Sequence, residues 1–399
     1  MRTKICLPQL AIILASVFAY VSATLPATAQ TTETVGEEIE LDLDDDEVAL
    51  PYVLPKSGPF NPEEIRIENN QAIADWFRSA HADAAAEAFR HWDEDEEIRP
   101  VCAVCHAGAG FRSYHGLDGS EPGIPEQPVD VGGVVDCETC HNAGLSEITE
   151  ISFPSGLMHP VEGVEAACLT CHQGRTAGVT VEGAIGTLPL DEPNGDLRFI
   201  NPHYATAAAS WLGGYGGAGY HYDGRDYAGR FWHARPVSTC VSCHEPHTLE
   251  VQTESCSPCH QSGEPEEIRI SRHSYAGSGH TSQGNRPGLS VNAQQLMEYL
   301  DRYAAEVAGT AMVYDGQSYP YFFADRNGDG LKDIGDDGNV AYNAWTPRLL
   351  RAAYNWKLVT ADPGAYAHNP AYALELLYDS IEDMATALNE NFEDLDLLR

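Results

Sequence analysis

One pentapeptide, Cys-x-x-Cys-His, constrains this chain more than any other feature of its sequence. It occurs five times, at residues 102–106, 137–141, 168–172, 240–244 and 256–260. These copies contain ten of the eleven cysteines, and the remaining one, Cys6, lies near the N-terminus. Cysteine-rich exported chains usually form disulfides. Here the pentapeptides leave no cysteine between residues 102 and 399 for such a bond.

The spacing within the pentapeptide matches one covalent chemistry. Two thiols three positions apart reach both vinyl groups of one porphyrin and form thioethers, and the histidine that follows meets the iron. The sequence therefore predicts five haem c groups. The cysteines expected to attach them are Cys102, Cys105, Cys137, Cys140, Cys168, Cys171, Cys240, Cys243, Cys256 and Cys259. The proximal iron ligands are expected to be His106, His141, His172, His244 and His260.

Two other chemistries use Cys-x-x-Cys pairs. Two Cys-x-x-Cys pairs together can form a four-thiolate zinc site. Five such pairs would leave one pair without a partner, and zinc would not explain the histidine that follows each pair. A thioredoxin-like redox site uses a single pair and gives no reason for five copies. Haem attachment is the favoured interpretation.

Outside the pentapeptides, the chain resembles a family of exported bacterial multihaem cytochromes c with doubled CxxCH motifs. The resemblance covers most of the chain after residue 60. It is carried by SAHADAAAEAFRHWDEDEEI, ITEISFPSG, EAACLTCHQGR, NPHYATAAA, GRFWHARPVSTCVSCHEPHTLEV, YPYFFADRNGDG, YNAWTPRLLRAAYN and DPGAYAHN. The resemblance implies electron transfer outside the cytoplasm, often in respiration with insoluble or external acceptors.

Each iron has a sixth coordination position, and eleven histidines lie outside the pentapeptides. A histidine on both faces gives a low-spin iron suited to electron transfer, whereas a missing one leaves an open site for a substrate. The expected distal ligands, chosen by their family-like positions or their nearness to a motif, are His81, His91, His203, His233 and His247. His368 adjoins a helix cap, so a structural role is expected for it.

The chain has features of an exported protein. Arg2 and Lys4 precede a short apolar run, and Ala27 to Ala29 fit a small-residue cleavage site, so residues 1–29 are predicted to be a signal peptide. Residues 30–59 are expected to form an acidic disordered tail. With 60 acidic against 23 basic side chains, the net charge of −37 excludes nucleic acid as a partner.

The expected fold is a multihaem cytochrome c. It is mainly α, with extensive irregular loops wrapped around a haem-packed core at residues 60–287, because this Gly- and Pro-rich part has few long periodic segments. Residues 288–399 contain no cysteine and are expected to form a haem-free helical C-terminal region. Helices are predicted over 63–92 with a break near Ser79, and over 291–307, 347–360 and 370–388.

An acidic loop in the C-terminal region matches the twelve-residue Ca²⁺ loop in part. Position 6 is a glycine, as the sharp turn requires, but position 12 is aspartate where the full EF-hand has glutamate. The expected ligands are Asp325, Asn327, Asp329, the Leu331 carbonyl, Asp333 and Asp336. An acidic turn without a cation stays open as the alternative.

Electron transfer through five haems, in anaerobic or extracellular respiration, is the predicted function. Two alternatives stay open, a multihaem oxidoreductase with one open catalytic haem and a subunit of an extracellular cytochrome filament. An electron carrier is favoured over an enzyme, since all five motifs end in histidine. The expected partners are other cytochromes or a membrane quinol-oxidising complex, with self-assembly open, and the expected location is the periplasm or the outer surface.

Overall fold

The computed structural model describes residues 62–277, 279 and 281–399. The predicted signal peptide and acidic tail lie outside the described residues. Residues Asn61–Arg399 form one compact unit. The boundary predicted between residues 287 and 288 falls within this unit, inside a long helix.

The described part of the chain is mainly α-helical, with a helical content of about 41%. The helices are α1 (Pro62–Arg78), α2 (Glu87–Arg90), α3 (Pro100–His106), α4 (Gly108–Tyr114), α5 (Cys137–His141), α6 (Glu165–His172), α7 (Gly178–Ile185), α8 (Ala207–Gly216), α9 (Asn285–Glu306), α10 (Pro347–Ala361), α11 (Ala365–His368) and α12 (Pro370–Ala387). Short 3₁₀ turns lie at Ala143–Glu147, Cys240–Ser242, Thr253–Ser255, Pro265–Glu267 and Phe392–Leu395. Up to α8, most helices are one or two turns long.

The strands form small antiparallel pairs. They are β1 (Glu97–Ile98), β2 (Val129–Asp130), β3 (Glu150–Ser152), β4 (Met158–Pro160), β5 (Ala311–Tyr314), β6 (Phe322–Asp325), β7 (Ile334–Gly335) and β8 (Gly338–Asn339). The four pairs are β1 with β2, β3 with β4, β5 with β6, and β7 with β8. In the longest pair, Val313 of β5 lies opposite Phe323 of β6. The expectation of a mainly α chain with irregular loops is confirmed.

The C-terminal helices enclose the largest apolar cluster. Helices α9, α10 and α12 pack together, and Leu300, Leu349 and Leu376 on them are fully buried. Val181 and Ile185 of α7 join the same cluster, so the cysteine-free part packs against the part that carries the motifs. At about 25 cal/mol per Å² of apolar area, this burial is the main favourable contribution to the stability of the region.

Two predicted helices agree closely with the structure. Helix α10 begins at Pro347 after Thr346, whose hydroxyl accepts a hydrogen bond from the Leu349 amide at 3.1 Å. Helix α12 begins at Pro370, and the Asn369 side chain accepts one from the Tyr372 amide at 3.3 Å. An N-cap side chain followed by proline explains both starts.

The segment after α1 differs from its prediction. Ser79 does not begin a long second helix, because its hydroxyl donates back to the Trp76 carbonyl at 2.8 Å. The Trp76 indole N–H donates to the Val135 carbonyl, and the Val135 amide donates to the His81 carbonyl. These long-range bonds hold residues 79–86 in turns, so that only α2 remains of the predicted helix.

A buried ionic group joins α10 to α12. Arg351 donates to both carboxylate oxygens of Asp383, with its Nη2 2.6 Å from Oδ2, and Arg348 also donates to Asp383. Arg348 in turn donates to Asp191 from its Nε at 2.7 Å. All these charges are paired, as burial requires.

Among residues 62–277, 279 and 281–399, no helix has the length and apolar character needed to cross a membrane.

Candidate functional site

Short helices carry the first three pentapeptides. Their histidines, His106, His141 and His172, are the last residues of α3, α5 and α6. Cysteines at positions i and i+3 of a helical turn share a face, so both thiols of a motif are presented together. The ten motif cysteines are free thiols.

The fourth and fifth pentapeptides lie in tighter turns. In each, the histidine amide donates to the carbonyl of the first cysteine at 2.9 Å, His244 to Cys240 and His260 to Cys256. This bond spans four residues, as in an α-helix, so the local geometry of the motif is kept where no longer helix forms.

Each motif histidine faces one histidine from outside the motifs. The ring centroids are 5.8 Å apart for His106 and His203, 6.0 Å for His141 and His247, 6.4 Å for His172 and His81, 6.4 Å for His244 and His368, and 6.1 Å for His260 and His233. Within the part of the chain that the structure describes, no ring contact joins two motif histidines to each other.

This spacing is the one that a metal ion between two imidazoles requires. At a metal–nitrogen distance of about 2 Å on each side, the two ring centres stand about 6 Å apart. Imidazoles in van der Waals stacking would be closer, and hydrogen-bonded ones would not repeat one spacing five times. The residues present therefore fit an iron held between two histidines, next to two thiols, at each of the five motifs.

Hydrogen bonds set the orientation of several motif rings. Nδ1 of His106 lies 2.6 Å from the Ala88 carbonyl oxygen, and Nδ1 of His172 lies 2.8 Å from that of Ala205. A ring that donates from Nδ1 leaves the lone pair of Nε2 free for a metal. Histidines that ligate a metal through one ring nitrogen almost always donate a hydrogen bond from the other.

The facing histidines differ in their second partners. Nδ1 of His368 lies 2.8 Å from Oδ2 of the buried carboxylate of Asp362. Nδ1 of His247 lies 3.2 Å from Oε1 of Glu245, which is partly exposed. Nδ1 of His233 lies 3.2 Å from the Ala234 carbonyl oxygen.

Burial favours the neutral form of two of the facing rings, whereas the neighbouring Asp362 raises the pKa of a third, His368. Burial and the neighbouring His172 lower the pKa of His81 to about 4, and burial together with His106 and Arg175 lowers the pKa of His203 to about 4. A metal binds only the neutral imidazole, so the lowered pKa suits these rings to ligation at neutral pH.

Four of the five facing histidines are those expected from the sequence, namely His81, His203, His233 and His247. The fifth expected residue, His91, does not face a motif histidine. Its Nδ1 lies 2.8 Å from Oε1 of Glu87, and its ring packs on Trp92. His368, for which a structural role was expected, stands opposite His244 instead. The family-like DPGAYAHN segment around it was a signal that could have identified it.

Other histidines have partners of their own. Nε2 of His115 lies 2.9 Å from the Thr170 hydroxyl, and Nε2 of His221 lies 2.8 Å from the Tyr372 hydroxyl. His159 is buried between aromatic rings, with Trp211 at 5.6 Å. The hydrogen bonds account for His115 and His221 as structural residues, whereas Nδ1 of the buried His159 has no hydrogen-bond partner among the described residues.

The third motif lies between its neighbours. Cys105 Sγ of the first motif is 3.6 Å from the Thr170 carbonyl of the third, and the Cys105 and Cys171 thiols are in contact. On the other side, the Cys240 amide of the fourth motif donates to Glu165 of α6 at 3.2 Å. The first and fourth motifs thus both contact α6, the helix that carries the third motif.

The acidic loop adopts turns around one buried carboxylate. Asp325, which ends β6, accepts hydrogen bonds from the amides of Asp329 and Gly330 at 3.1 and 2.9 Å. Asp336 lies in the exposed turn between β7 and β8. Among the described residues, the motif cysteines included, no group of three or more His, Cys, Asp or Glu side chains is arranged to hold a bare metal ion.

Comparisons with known proteins give a distant but extended similarity. The chain is 25% identical over 383 residues to a C-type polyheme cytochrome, OmcC, of Geobacter sulfurreducens, which covers 78% of this chain and 46% of the relative. It is also 25% identical over 356 residues to the C-type polyheme cytochrome OmcB of the same species. This match covers 75% of this chain and 46% of the relative. The chain thus spans about half the length of the curated relatives that it matches.

No family model matches the chain. No solved structure matches it either. The similarity to the two Geobacter proteins supports a multihaem c-type cytochrome family for this chain, with haem c as its cofactor.

Proposed function

We propose that this chain conducts electrons through five haem c groups, each held by one Cys-x-x-Cys-His motif and ligated by histidine on both faces. The observation that carries the proposal is the repeated approach of two histidines at centroid distances from 5.8 to 6.4 Å. When bound, the haems supply reversible one-electron chemistry at iron. The chain attaches them, orients their ligands and fills the space around them.

The proposed ligand pairs join distant parts of the chain. They are His106 with His203, His141 with His247, His172 with His81, His244 with His368 and His260 with His233. His368 thereby replaces His91 in the set of five distal ligands, a set in which the sequence assigns no histidine to a particular motif. The C-terminal region is still proposed to attach no haem of its own, but through His368 it supplies a ligand to the fourth.

Contacts between motifs support a continuous electron path. The first and third motifs touch at Cys105 and Thr170, and the thiols of Cys168 and Cys240 join the third motif to the fourth. Haems attached at such neighbouring cysteines would lie close enough to exchange electrons. The third haem would then pass electrons between the first and the fourth.

Neither alternative has a specific observation in its favour. An oxidoreductase with an open catalytic haem needs a motif histidine without a facing one, and each of the five has a partner. A filament subunit whose distal histidine comes from the next copy would also need a motif histidine that no histidine of its own chain faces. The conduit is therefore the better-supported function.

The partners are proposed from charge and from the relatives. A chain of net charge −37 would attract a basic redox protein, and other cytochromes or a membrane quinol-oxidising complex remain the proposed partners. The proposed location is outside the cytoplasm, in the periplasm or at the outer surface, with electron transfer in anaerobic or extracellular respiration.

Haem stoichiometry tests the proposal first. The mass of the matured, denatured protein is expected to equal the processed polypeptide plus five haems, since thioether bonds survive denaturation. Intact-protein mass spectrometry measures this directly, and changing Cys256 and Cys259 to alanine is expected to remove one haem. A fully matured sample with four haems or fewer would show that one motif is unused.

We also propose that the 325–336 loop binds Ca²⁺. The buried Asp325 and the nearby Asn327, Asp329 and Asp333 offer oxygen ligands, the Leu331 carbonyl adds one, and Asp336 would close the site from the β7–β8 turn. Carboxylates gathered in one loop repel one another unless a cation lies between them.

Calcium is accordingly expected to raise the unfolding temperature, and chelation to lower it. Binding to the native state alone stabilises it by about 2.7 kcal/mol when free Ca²⁺ is a hundred times its dissociation constant. Calorimetry with and without chelator measures the effect. Asp325→Ala should abolish it, whereas Asp337→Ala, a neighbouring acidic position outside the loop, should keep it. If chelation leaves the unfolding temperature of the native chain unchanged, the loop is an acidic turn.

A further inference from the structure

The carboxylate of Asp362 occupies an unusual position next to a proposed iron ligand. Its side chain is only 1% exposed, and both of its oxygens lie within 2.9 Å of Nδ1 of His368. The Gly364 amide donates to Oδ1 at 3.0 Å, and the Ser210 hydroxyl also donates to this carboxylate. These donors hold a negative charge in the interior directly behind the ring that faces His244.

No other facing histidine directs Nδ1 to a buried carboxylate among the described residues, although the charge of Asp362 also acts at longer range on the motif histidine His172. His106, His172, His244 and His233 direct Nδ1 to backbone carbonyls, which are neutral acceptors. His247 directs Nδ1 to Glu245, but this carboxylate is 36% exposed and its oxygen stands farther away, at 3.2 Å. Water and salt screen an exposed charge far more than a buried one. Among the described residues, Asp362 is therefore the buried carboxylate that accepts a hydrogen bond from a facing histidine.

We propose that Asp362 is a positioning residue that lowers the reduction potential of the haem held between His244 and His368. This inference rests on the proposed function, because it takes His368 as an iron ligand.

Two effects of Asp362 act in the same direction. A carboxylate that accepts the Nδ1 proton makes the imidazole a more basic ligand, which favours the ferric over the ferrous state. The buried negative charge also stabilises the more positive iron by Coulomb attraction. Asp362 would keep the proton on Nδ1 of His368 in both oxidation states of a haem held there, so that haem would exchange one electron with a neighbouring haem or redox partner and no proton.

The substitution Asp362→Asn removes the charge and keeps the shape and an oxygen acceptor. In spectroelectrochemical titration of the complete five-haem protein, one of the five transitions is expected to move to higher potential. The ferric-to-ferrous ratio of that haem should fall at least tenfold at a fixed potential, which is 59 mV for a one-electron couple. The haem of the third motif should shift less in the same direction, because the charge of Asp362 also acts on His172, and the other three transitions should stay in place. All five haems should remain low-spin.

The substitution Glu245→Gln is the matched control. It replaces the partly exposed carboxylate beside His247 by an amide, which is the same chemical change. The ferric-to-ferrous ratio of the haem ligated by His247 is expected to change less than threefold at a fixed potential. Equal shifts in the two variants would contradict the claim that burial makes Asp362 special.

A second variant protects the test against a folding defect. Ser210→Ala removes a neutral donor from Asp362 and leaves its charge, so the carboxylate should accept more strongly from His368. The same haem should then move to lower potential, opposite to Asp362→Asn. If Asp362→Asn does not assemble with five haems, the direction of the Ser210→Ala shift decides the proposal.

The failure of this inference can be told apart from that of the proposed function. If five low-spin haems are present and no transition moves in Asp362→Asn, the role of Asp362 is wrong while the conduit stands. If His368→Ala leaves every haem low-spin, the ligand assignment itself is wrong.

Discussion

Replacing His368 by alanine is expected to convert one of the five haems from low-spin to high-spin. His368 ends the short helix α11, and its ring is 6.4 Å from that of His244 between centroids. Without it, the iron that we propose His244 to bind would keep five ligands and an open position. Iron with a missing axial ligand is high-spin and binds added ligands, whereas iron between two histidines does neither.

The change is read from the spectra of the complete protein. Electron paramagnetic resonance and visible absorption should show a high-spin signal that corresponds to one fifth of the haem, and added carbon monoxide should bind the same fraction of the reduced protein. Covalent attachment through Cys240 and Cys243 should be unaffected, so the mass should still contain five haems.

His91→Ala is the matched control, because the sequence alone favoured His91 as the ligand. Its ring is exposed and packs on Trp92, and its Nδ1 lies within hydrogen-bond distance of Oε1 of Glu87. The expected result is five low-spin haems, as in the native chain. A high-spin signal in His91→Ala together with none in His368→Ala would reverse the assignment in favour of the sequence prediction.

The success of each sequence prediction depends on how far its determinants lie apart in the chain. The motif histidines follow from the chemistry of five adjacent residues. The starts of α10 and α12 follow from Thr346 and Asn369, each a cap immediately before a proline. Such local signals need no knowledge of the tertiary structure.

The misplaced predictions depend on contacts across long stretches of chain. His368 reaches the fourth motif because α11 lies against α8 and the C-terminal helices, an arrangement that neighbouring residues do not encode. The helix predicted after Ser79 is shortened by bonds between residues 76–81 and Val135, more than fifty positions away. Long-range contacts of this kind decide which histidine faces each motif. The sequence distance between a histidine and a motif therefore predicts the facing histidines only in part.

The second large effect is expected from Asp383→Asn, which should lower the free energy of unfolding by about 3–5 kcal/mol. Asp383 is 12% exposed and lies between Arg348 and Arg351, which are 10% and 11% exposed. Burial raises the pKa of Asp383 above its usual value, and the two arginines oppose this shift, so the carboxylate depends on them to stay charged. The amide cannot balance them, and Arg351 would be left as a buried cation without its carboxylate.

The exposed pair of Arg302 and Glu306 provides the control. They stand four residues apart on α9 with Nε and Oε1 3.6 Å apart, and their side chains are 43% and 58% exposed. Glu306→Gln makes the same carboxylate-to-amide change as Asp383→Asn, yet water already screens the charges. An exposed pair of this kind contributes less than about 1 kcal/mol, so its unfolding should be nearly unchanged.

Thermal or denaturant unfolding, followed by circular dichroism in the far ultraviolet, compares the two variants. Because α10 and α12 pack on α9 and carry the buried Leu349 and Leu376, loosening Asp383 should weaken the C-terminal cluster as a whole. The haem spectra should respond at the fourth motif first, since α11, which supplies His368, lies between α10 and α12. If Asp383→Asn and Glu306→Gln destabilised the protein equally, the buried ionic group would not be what joins these helices, and apolar packing alone would account for their stability.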